Sequence, residues 1–157
     1  EIAQCLVGSE MCIRDRGTEL ASIMDPGSHG STYGGNPLGT TVGLAVLREI
    51  VSQGLPERAR RLGAEIRAEI ESWNLPVIQG VRGLGLLLGI GLNPEMVDAP
   101  EGKTVAAVVV EALRQEGLLS VPAGPETVRL LPPLNVSEEE VQQALAIIRR
   151  VLKTYVK

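Results

Sequence analysis

Residues 26–39 have the composition of an anion-binding loop. They read Pro-Gly-Ser-His-Gly-Ser-Thr-Tyr-Gly-Gly-Asn-Pro-Leu-Gly, so the hydroxyls of Ser31 and Thr32 lie among glycines. Glycines let backbone N–H groups approach a ligand closely, and a helix that starts directly afterwards adds unpaired N–H donors and the positive end of its dipole. This pattern is typical of a phosphate site, but also of a flexible turn before a helix. Residue types alone favour the turn, because Gly-rich turns outnumber phosphate sites.

Arg129 is the second residue whose surroundings suggest chemistry. It lies in the apolar run Thr-Val-Arg-Leu-Leu of residues 127–131, where a buried charge is costly unless it is paired. Its partner is either a protein carboxylate or an anionic ligand, and a guanidinium can bind a carboxylate through two parallel hydrogen bonds. The sequence leaves both alternatives open.

The other candidate motifs give weaker evidence for a functional site. His29 is the only histidine and has no cysteine or carboxylate spaced to share a metal, so a structural or exposed role is favoured and no metal site is predicted. Residues 83–89, Gly-Leu-Gly-Leu-Leu-Leu-Gly, lack the helix that a dinucleotide-binding fingerprint requires. No Lys-Ser or Lys-Thr pair follows the glycines of the first loop, which excludes a Walker A motif. Glycines in a tightly packed strand explain residues 83–89 better.

Composition excludes several classes of function. The chain has 157 residues, a net charge of −4 and a pI near 5.1, without a basic run, which argues against nucleic-acid binding. Its longest apolar run, residues 84–92, is too short to cross a bilayer. Two cysteines, Cys5 and Cys12, are too few for a disulfide framework or a metal site, so a cytoplasmic location is predicted.

The elements that would position these residues can be predicted from periodicity and capping signals. Asn36 followed by Pro37 predicts a helix to about Ser52, and a second helix follows Gly54 and Pro56. Strands are expected at residues 76–80, 84–92, 118–121 and 127–131. Capping boxes at Asp98–Glu101 and Ser137–Glu140 predict two further helices, the first ending at Gly117. The predicted buried positions of the second and last helices are Ala59, Leu62, Ile66, Ile70 and Trp73, then Val141, Leu145, Ile148, Leu152 and Tyr155.

This order of elements predicts an α+β layer, a small sheet covered by helices. Residues 54–157 could form a compact unit, whereas residues 17–53 are too few and too rich in loops to be a domain of their own. Residues 1–16 contain Cys-Leu-Val-Gly-Ser-Glu-Met-Cys-Ile-Arg-Asp-Arg, which resembles translated sequencing-adapter read-through. We interpret them as an artefact and exclude them from fold reasoning. The alternative is a genuine irregular N-terminal arm.

Three segments together resemble the class III aminotransferases, most closely their acetylornithine branch. They are Gly-Ser-His-Gly-Ser-Thr-Tyr-Gly-Gly-Asn-Pro at residues 27–37, Val-Arg-Gly-Leu-Gly-Leu-Leu-Leu-Gly-Ile at residues 81–90, and Val-Arg-Leu-Leu-Pro-Pro-Leu-Asn-Val-Ser-Glu-Glu-Glu at residues 128–140. Their order and approximate spacing match that family, and the resemblance extends over residues 17–155.

The resemblance implies a fold, a cofactor and site residues. Residues 17–53 would be the tail of the fold-type-I large α/β domain that holds pyridoxal phosphate, and residues 54–157 the small C-terminal α+β domain with its antiparallel sheet. Thr32 would contact the cofactor phosphate in the partner subunit of a homodimer, with Ser31 beside it and next to the substrate. Arg129 would bind the carboxylate of the amino-acid or 2-oxo-acid substrate.

One departure from the family decides what the chain can do alone. The family forms a Schiff base between the cofactor and a lysine upstream of the Gly-Ser-Thr loop, whereas Lys103, Lys153 and Lys157 are the only lysines and all lie downstream. We therefore expect a C-terminal fragment without a catalytic residue, inactive by itself. Its parent would move the amino group of N-acetylornithine to 2-oxoglutarate in arginine biosynthesis. Ornithine, succinyldiaminopimelate or 4-aminobutyrate as donor, and a self-standing non-catalytic binding domain, remain alternatives.

Overall fold

The computed structural model describes residues 32–156, and the chain divides into two compact units between Gln53 and Gly54. The described part of the first unit contains helix α1 (Pro37–Ser52). Its predicted start is confirmed, because the side chain of Asn36 accepts a hydrogen bond of 2.8 Å from the N–H of Gly39. Leu38 and Val46, on the apolar face of α1, are exposed. Residues 1–16 lie outside the described part, and the assignment of residues 17–53 and 54–157 to two aminotransferase domains stays a prediction.

The second unit is an α+β layer, as predicted. In chain order it contains α2 (Leu55–Ser72), β1 (Ile78–Leu84), β2 (Leu87–Leu92), a 3₁₀ turn (Pro94–Met96), α3 (Val105–Gln115), β3 (Val121–Pro122), β4 (Thr127–Leu130) and α4 (Glu138–Lys153). The four strands form one sheet in the order β1-β2-β4-β3, and every neighbouring pair is antiparallel. The expectation of a small antiparallel sheet with helices is confirmed.

The core of this unit is aliphatic and lies between the sheet and its helices. Every predicted buried position of α2 is buried, and so are Val141, Leu145, Ile148 and Leu152 of α4. From the sheet, β2 contributes Leu88, Ile90 and Leu92, whose alternation places them on one face. Tyr155 was expected to be buried but is half-buried, because α4 ends at Lys153, two residues before it.

Capping sets the ends of α3 and α4. The capping box of α4 is confirmed: Ser137 and Glu140 exchange hydrogen bonds of 2.8 and 3.1 Å. The predicted capping box at Asp98 is wrong, since the N-cap of α3 is Thr104, six residues later, whose side chain accepts a hydrogen bond from the N–H of Ala107. Between them, Pro100 and the left-handed Gly102 favour a turn over a helix. Gly117 ends α3 as expected, with the N–H of Leu118 bonded to the carbonyl of Leu113.

The hairpin between β1 and β2 turns later than predicted. Residues 81–83 were expected to connect the strands, but they belong to β1, and Leu84 pairs directly with Leu87. The turn is therefore Gly85-Leu86, in which Gly85 adopts a left-handed φ of 55° that favours glycine. Strand β3 is likewise shifted, from the predicted residues 118–121 to Val121–Pro122.

Helix α2 fixes this hairpin by close backbone contact. A Cβ atom placed on the buried Gly63 would lie 1.9 Å from the carbonyl oxygen of Gly85, so the helix and the turn meet where no side chain fits. In addition, Arg67 of α2 donates a hydrogen bond of 2.5 Å to the carbonyl of Gly83. The hairpin thereby sets the position of β2. Strand β2 in turn pairs with β4, the strand that contains Arg129.

Candidate functional site

Arg129 lies on the face of the sheet that is opposite the helices. In β4 the side chain of Val128 is buried in the core, and Arg129, the next residue, is exposed. Arg129 lies in an apolar strand as predicted, but strand alternation turns its side chain outward, so its charge is not buried. Among residues 32–156, no hydrogen bond and no ion pair to the side chain of Arg129 is found. Of the two alternatives left open by the sequence, pairing with a protein carboxylate is not observed within the described part.

A row of paired residues crosses the sheet at Arg129. Gly89 of β2 pairs with Arg129 on one side and with Arg82 of β1 on the other, and Val121 of β3 pairs with Arg129 at the edge. Residues directly opposite each other in an antiparallel sheet point to the same face. Arg82 and Arg129 therefore share the outer face, with a glycine between them.

An open, largely apolar groove of about 590 Å³ adjoins Arg129. Its walls come from residues 118–121, from residues 130–133 at and after the end of β4, from α4, and from the side of α2 and of the β1–β2 hairpin that faces the core. Arg129 is the one basic residue of its lining and Glu140 the one acidic residue. The carboxylate of Glu140 accepts the N–H of Ser137, and this backbone hydrogen bond, followed by that to the Ser137 hydroxyl, lowers its pKa. Glu140 is therefore engaged in capping α4, and the guanidinium of Arg129 stays available to a ligand.

Ser120 lies in the wall of the same groove. Its hydroxyl oxygen is buried and has no hydrogen-bond partner in the described part of the chain. A buried hydroxyl without a partner is unusual in a folded protein, because the lost hydration is not replaced. The hydroxyl oxygen is covered by the groove wall, so a ligand in the groove would reach it only after that wall moves.

The loop of the first unit is described only from Thr32 onward, and Ser31 and His29 lie outside the described residues. Thr32 is exposed in the turn that precedes α1. The start of α1 offers fewer donors than expected, since Pro37 has no N–H, the N–H of Gly39 bonds the Asn36 side chain, and that of Thr40 bonds the Asn36 carbonyl. The turn also exposes the hydroxyl-bearing side chains of Thr32 and Tyr33. Thr32 and Arg129 belong to different units.

The described residues contain no other group with the chemistry of a catalytic site. No cluster of three metal-binding side chains is found among them, and none of their helices is long and apolar enough to cross a membrane. The two described lysines, Lys103 before α3 and Lys153 at the end of α4, are exposed, and neither lines the groove. Sequence reasoning identified Arg129 but missed Arg82 and Ser120. Arg82 gave one signal, a charge inside a glycine-rich strand.

Comparison with known proteins gives the family. The family described as aminotransferase class-III matches residues 8–152. The ornithine aminotransferase of Staphylococcus carnosus is 39% identical over 134 residues, which is 85% of this chain and 31% of that protein. The acetylornithine aminotransferase of Thermosynechococcus vestitus is 42% identical over 137 residues, 85% of this chain and 32% of that protein.

A solved structure agrees with these sequences. The ornithine aminotransferase of Toxoplasma gondii, described with partial occupancy of PLP at its active site, superposes with a TM-score of 0.73 at 31% identity. The match covers 87% of this chain and 31% of that one. The chain thus spans about a third of the length of the relatives it matches. Because the family match extends over nearly all of the sequence, the chain belongs to the class III aminotransferases.

Proposed function

We propose that the chain is the C-terminal part of a pyridoxal-phosphate aminotransferase that moves the amino group of N-acetylornithine to 2-oxoglutarate. In this assignment Arg129 binds a substrate carboxylate. Thr32 contacts the cofactor phosphate across a homodimer interface, and Ser31 lies beside the substrate and the cofactor. The first unit is the tail of a fold-type-I large domain and the second unit is the small domain. The enzyme acts in arginine biosynthesis in the cytoplasm.

The observation that carries the proposal is the setting of Arg129. Arg129 is exposed on the open face of the sheet, and it also contributes to the lining of a groove whose single carboxylate caps a helix. A planar guanidinium without a protein partner presents its N–H donors in the geometry that a carboxylate accepts in pairs. The groove beside it has apolar walls, which suit the methylene chain of an amino acid.

The proposal names N-acetylornithine as the amino donor, and ornithine is its main alternative. Relatives that cover 85% of the chain carry the names ornithine aminotransferase and acetylornithine aminotransferase at similar identity. Arg129 recognises the carboxylate that both donors share, and so supports either of them. Ornithine is therefore the alternative donor with direct support from the relatives, ahead of succinyldiaminopimelate and 4-aminobutyrate.

The residues of this chain do not fit the whole cofactor site. Pyridoxal phosphate supplies an electron sink for amino-group transfer, and the protein must hold it through a lysine. Lys103 and Lys153 lie away from the groove, and Thr32 is a contact for the phosphate alone. We infer that the cofactor lysine comes from a part of the enzyme not represented in these 157 residues. Exposed apolar residues such as Leu38, Leu84 and Leu131 fit this inference as surfaces for that remainder.

Reduction with borohydride tests whether the chain holds the cofactor by itself. The purified 157-residue chain is mixed with pyridoxal phosphate, reduced, and mapped by mass spectrometry. We expect weak labelling spread over Lys103, Lys153 and Lys157, because neither of the described lysines, Lys103 and Lys153, lines the groove. The full-length enzyme of Staphylococcus carnosus serves as the positive control, with one lysine labelled stoichiometrically. Stoichiometric labelling of one lysine in the short chain would contradict the proposal and favour a self-standing protein.

A further inference from the structure

Arg82 is fixed across the outer face of the sheet. Its Nη2 atom donates a hydrogen bond of 2.8 Å to the hydroxyl of Thr127, two strands away. Thr127 is 5% exposed and is the one buried polar residue of the described part of the chain. An exposed arginine is thus tethered at one nitrogen by a buried hydroxyl, which limits the positions that its guanidinium can take.

Gly89 makes this tether possible. A Cβ atom at Gly89 would lie 3.0 Å from the Thr127 methyl group and 3.7 Å from Cγ of Arg82. The side chain of Arg82 therefore passes over β2 at the one place in its row where no side chain stands. The same row continues to Arg129, so two strand spacings, about 10 Å, separate the Cα atoms of the two arginines.

The two arginines form a positive patch in an acidic chain. The chain has a net charge of −4, yet the ion pairs of residues 32–156 use Arg60, Arg61, Arg114 and Arg150, and none reaches Arg82 or Arg129. Arg82 uses one of its five N–H donors on Thr127, and no other acceptor for it is found among the described residues. Two neighbouring cations without a carboxylate partner favour an anion that carries more than one negative charge.

We propose that Arg82 is a second anion-binding residue on this face. Held by Thr127 across Gly89, it adds its positive charge to that of Arg129 when a dicarboxylate such as 2-oxoglutarate binds. The inference rests on the proposed carboxylate-binding role of Arg129. With both arginines, the small domain binds a dianion more tightly than a monoanion. Arg129 alone would not provide this preference.

The test is a titration of the full 157-residue chain with 2-oxoglutarate at low ionic strength, followed by NMR of the arginine Nε–H signals. We expect the signals of Arg82 and Arg129 to shift along one binding curve. Arg82→Gln weakens binding about two- to threefold, the effect of one exposed unit charge near the ligand in water. Arg82→Lys keeps the charge but not the planar guanidinium, so it weakens binding less than Arg82→Gln does. Arg114→Gln, which removes a charge from the exposed surface of α3, leaves the affinity unchanged.

The outcomes separate this inference from the proposed function. If Arg82→Gln has no more effect than Arg114→Gln, Arg82 does not contribute, and the role of Arg129 stands. Equal losses in Arg82→Lys and Arg82→Gln show that Arg82 acts through its tether alone, which also overturns the inference. If neither arginine signal moves in the unsubstituted chain, this face does not bind the dianion and the inference fails, whereas the role of Arg129 is decided by the KM of Arg129→Ala in the full-length enzyme. 2-Oxobutyrate, which has one carboxylate, is expected to bind more weakly and to lose less affinity in Arg82→Gln.

Discussion

Arg129→Ala, introduced into the full-length enzyme that carries this chain, is expected to raise the KM for 2-oxoglutarate about a hundredfold. The change removes two charge-assisted hydrogen bonds to a substrate carboxylate, each worth about 1.5 kcal/mol or more. Arg129→Lys keeps the charge but not the paired geometry, so about a tenfold rise in KM is expected. Steady-state kinetics with both substrates measures these changes.

The same substitution should leave the fold intact. The side chain of Arg129 is exposed and has no hydrogen bond within the described residues, so we expect its removal to change the free energy of unfolding by less than about 0.5 kcal/mol. Arg60→Ala, an exposed arginine of α2 that pairs with Glu57, is the matched control and should not alter the KM. An unchanged KM in Arg129→Ala would remove Arg129 from the substrate site.

Gly63→Ala is expected to destabilise the second unit by about 3 kcal/mol, the upper range for an overpacked core. Its new methyl group would lie 1.9 Å from the carbonyl oxygen of Gly85, and a backbone atom cannot rotate away as a side-chain end can. The helix or the hairpin turn must move, and the hydrogen bond from Arg67 to Gly83 is lost with that movement. Urea unfolding of the 157-residue chain, followed by the fluorescence of Trp73, reports on this unit because Trp73 is the only tryptophan and lies in its core.

Ala64→Gly, one residue further along α2, is the control. It makes the reverse exchange of the same two residue types in the same helix. Ala64 is exposed, so its replacement costs only the helix propensity of alanine over glycine, about 1 kcal/mol. Propensity alone would predict that Gly63→Ala stabilises the helix by a similar amount. A stabilised Gly63→Ala variant would therefore show that α2 and the hairpin do not meet as described.

The helices could be predicted from sequence because their signals are local. Asn36-Pro37, Ser137 with Glu140, and Gly117 each fix a helix end through hydrogen bonds within a few residues. The start of α3 was missed because Asp98 and Glu101 also have capping spacing, and the pattern does not reveal that Pro100 and Gly102 interrupt the chain. Capping boxes thus predicted α4 correctly and α3 six residues too early.

The strands were harder to place because their signals depend on pairing. Residues 81–83 contain a charge and a glycine and so resembled a connection, but pairing with β2 places them in β1. Exposed Leu131 follows half-buried Leu130 at the end of β4, so the apolar run concealed the alternation that turns Arg129 outward. The tether between Arg82 and Thr127 joins residues 45 positions apart, and no local pattern predicts it.

The most direct test of the central claim is to read the genomic DNA upstream of codon 17. The account holds that this chain supplies Thr32 and Arg129 to an aminotransferase whose cofactor lysine lies elsewhere in the same protein. It predicts one open frame that continues upstream, replaces residues 1–16, and encodes a lysine at the end of a strand before the loop that contains Ser31. A start codon at this position, with no such frame before it, would contradict the account.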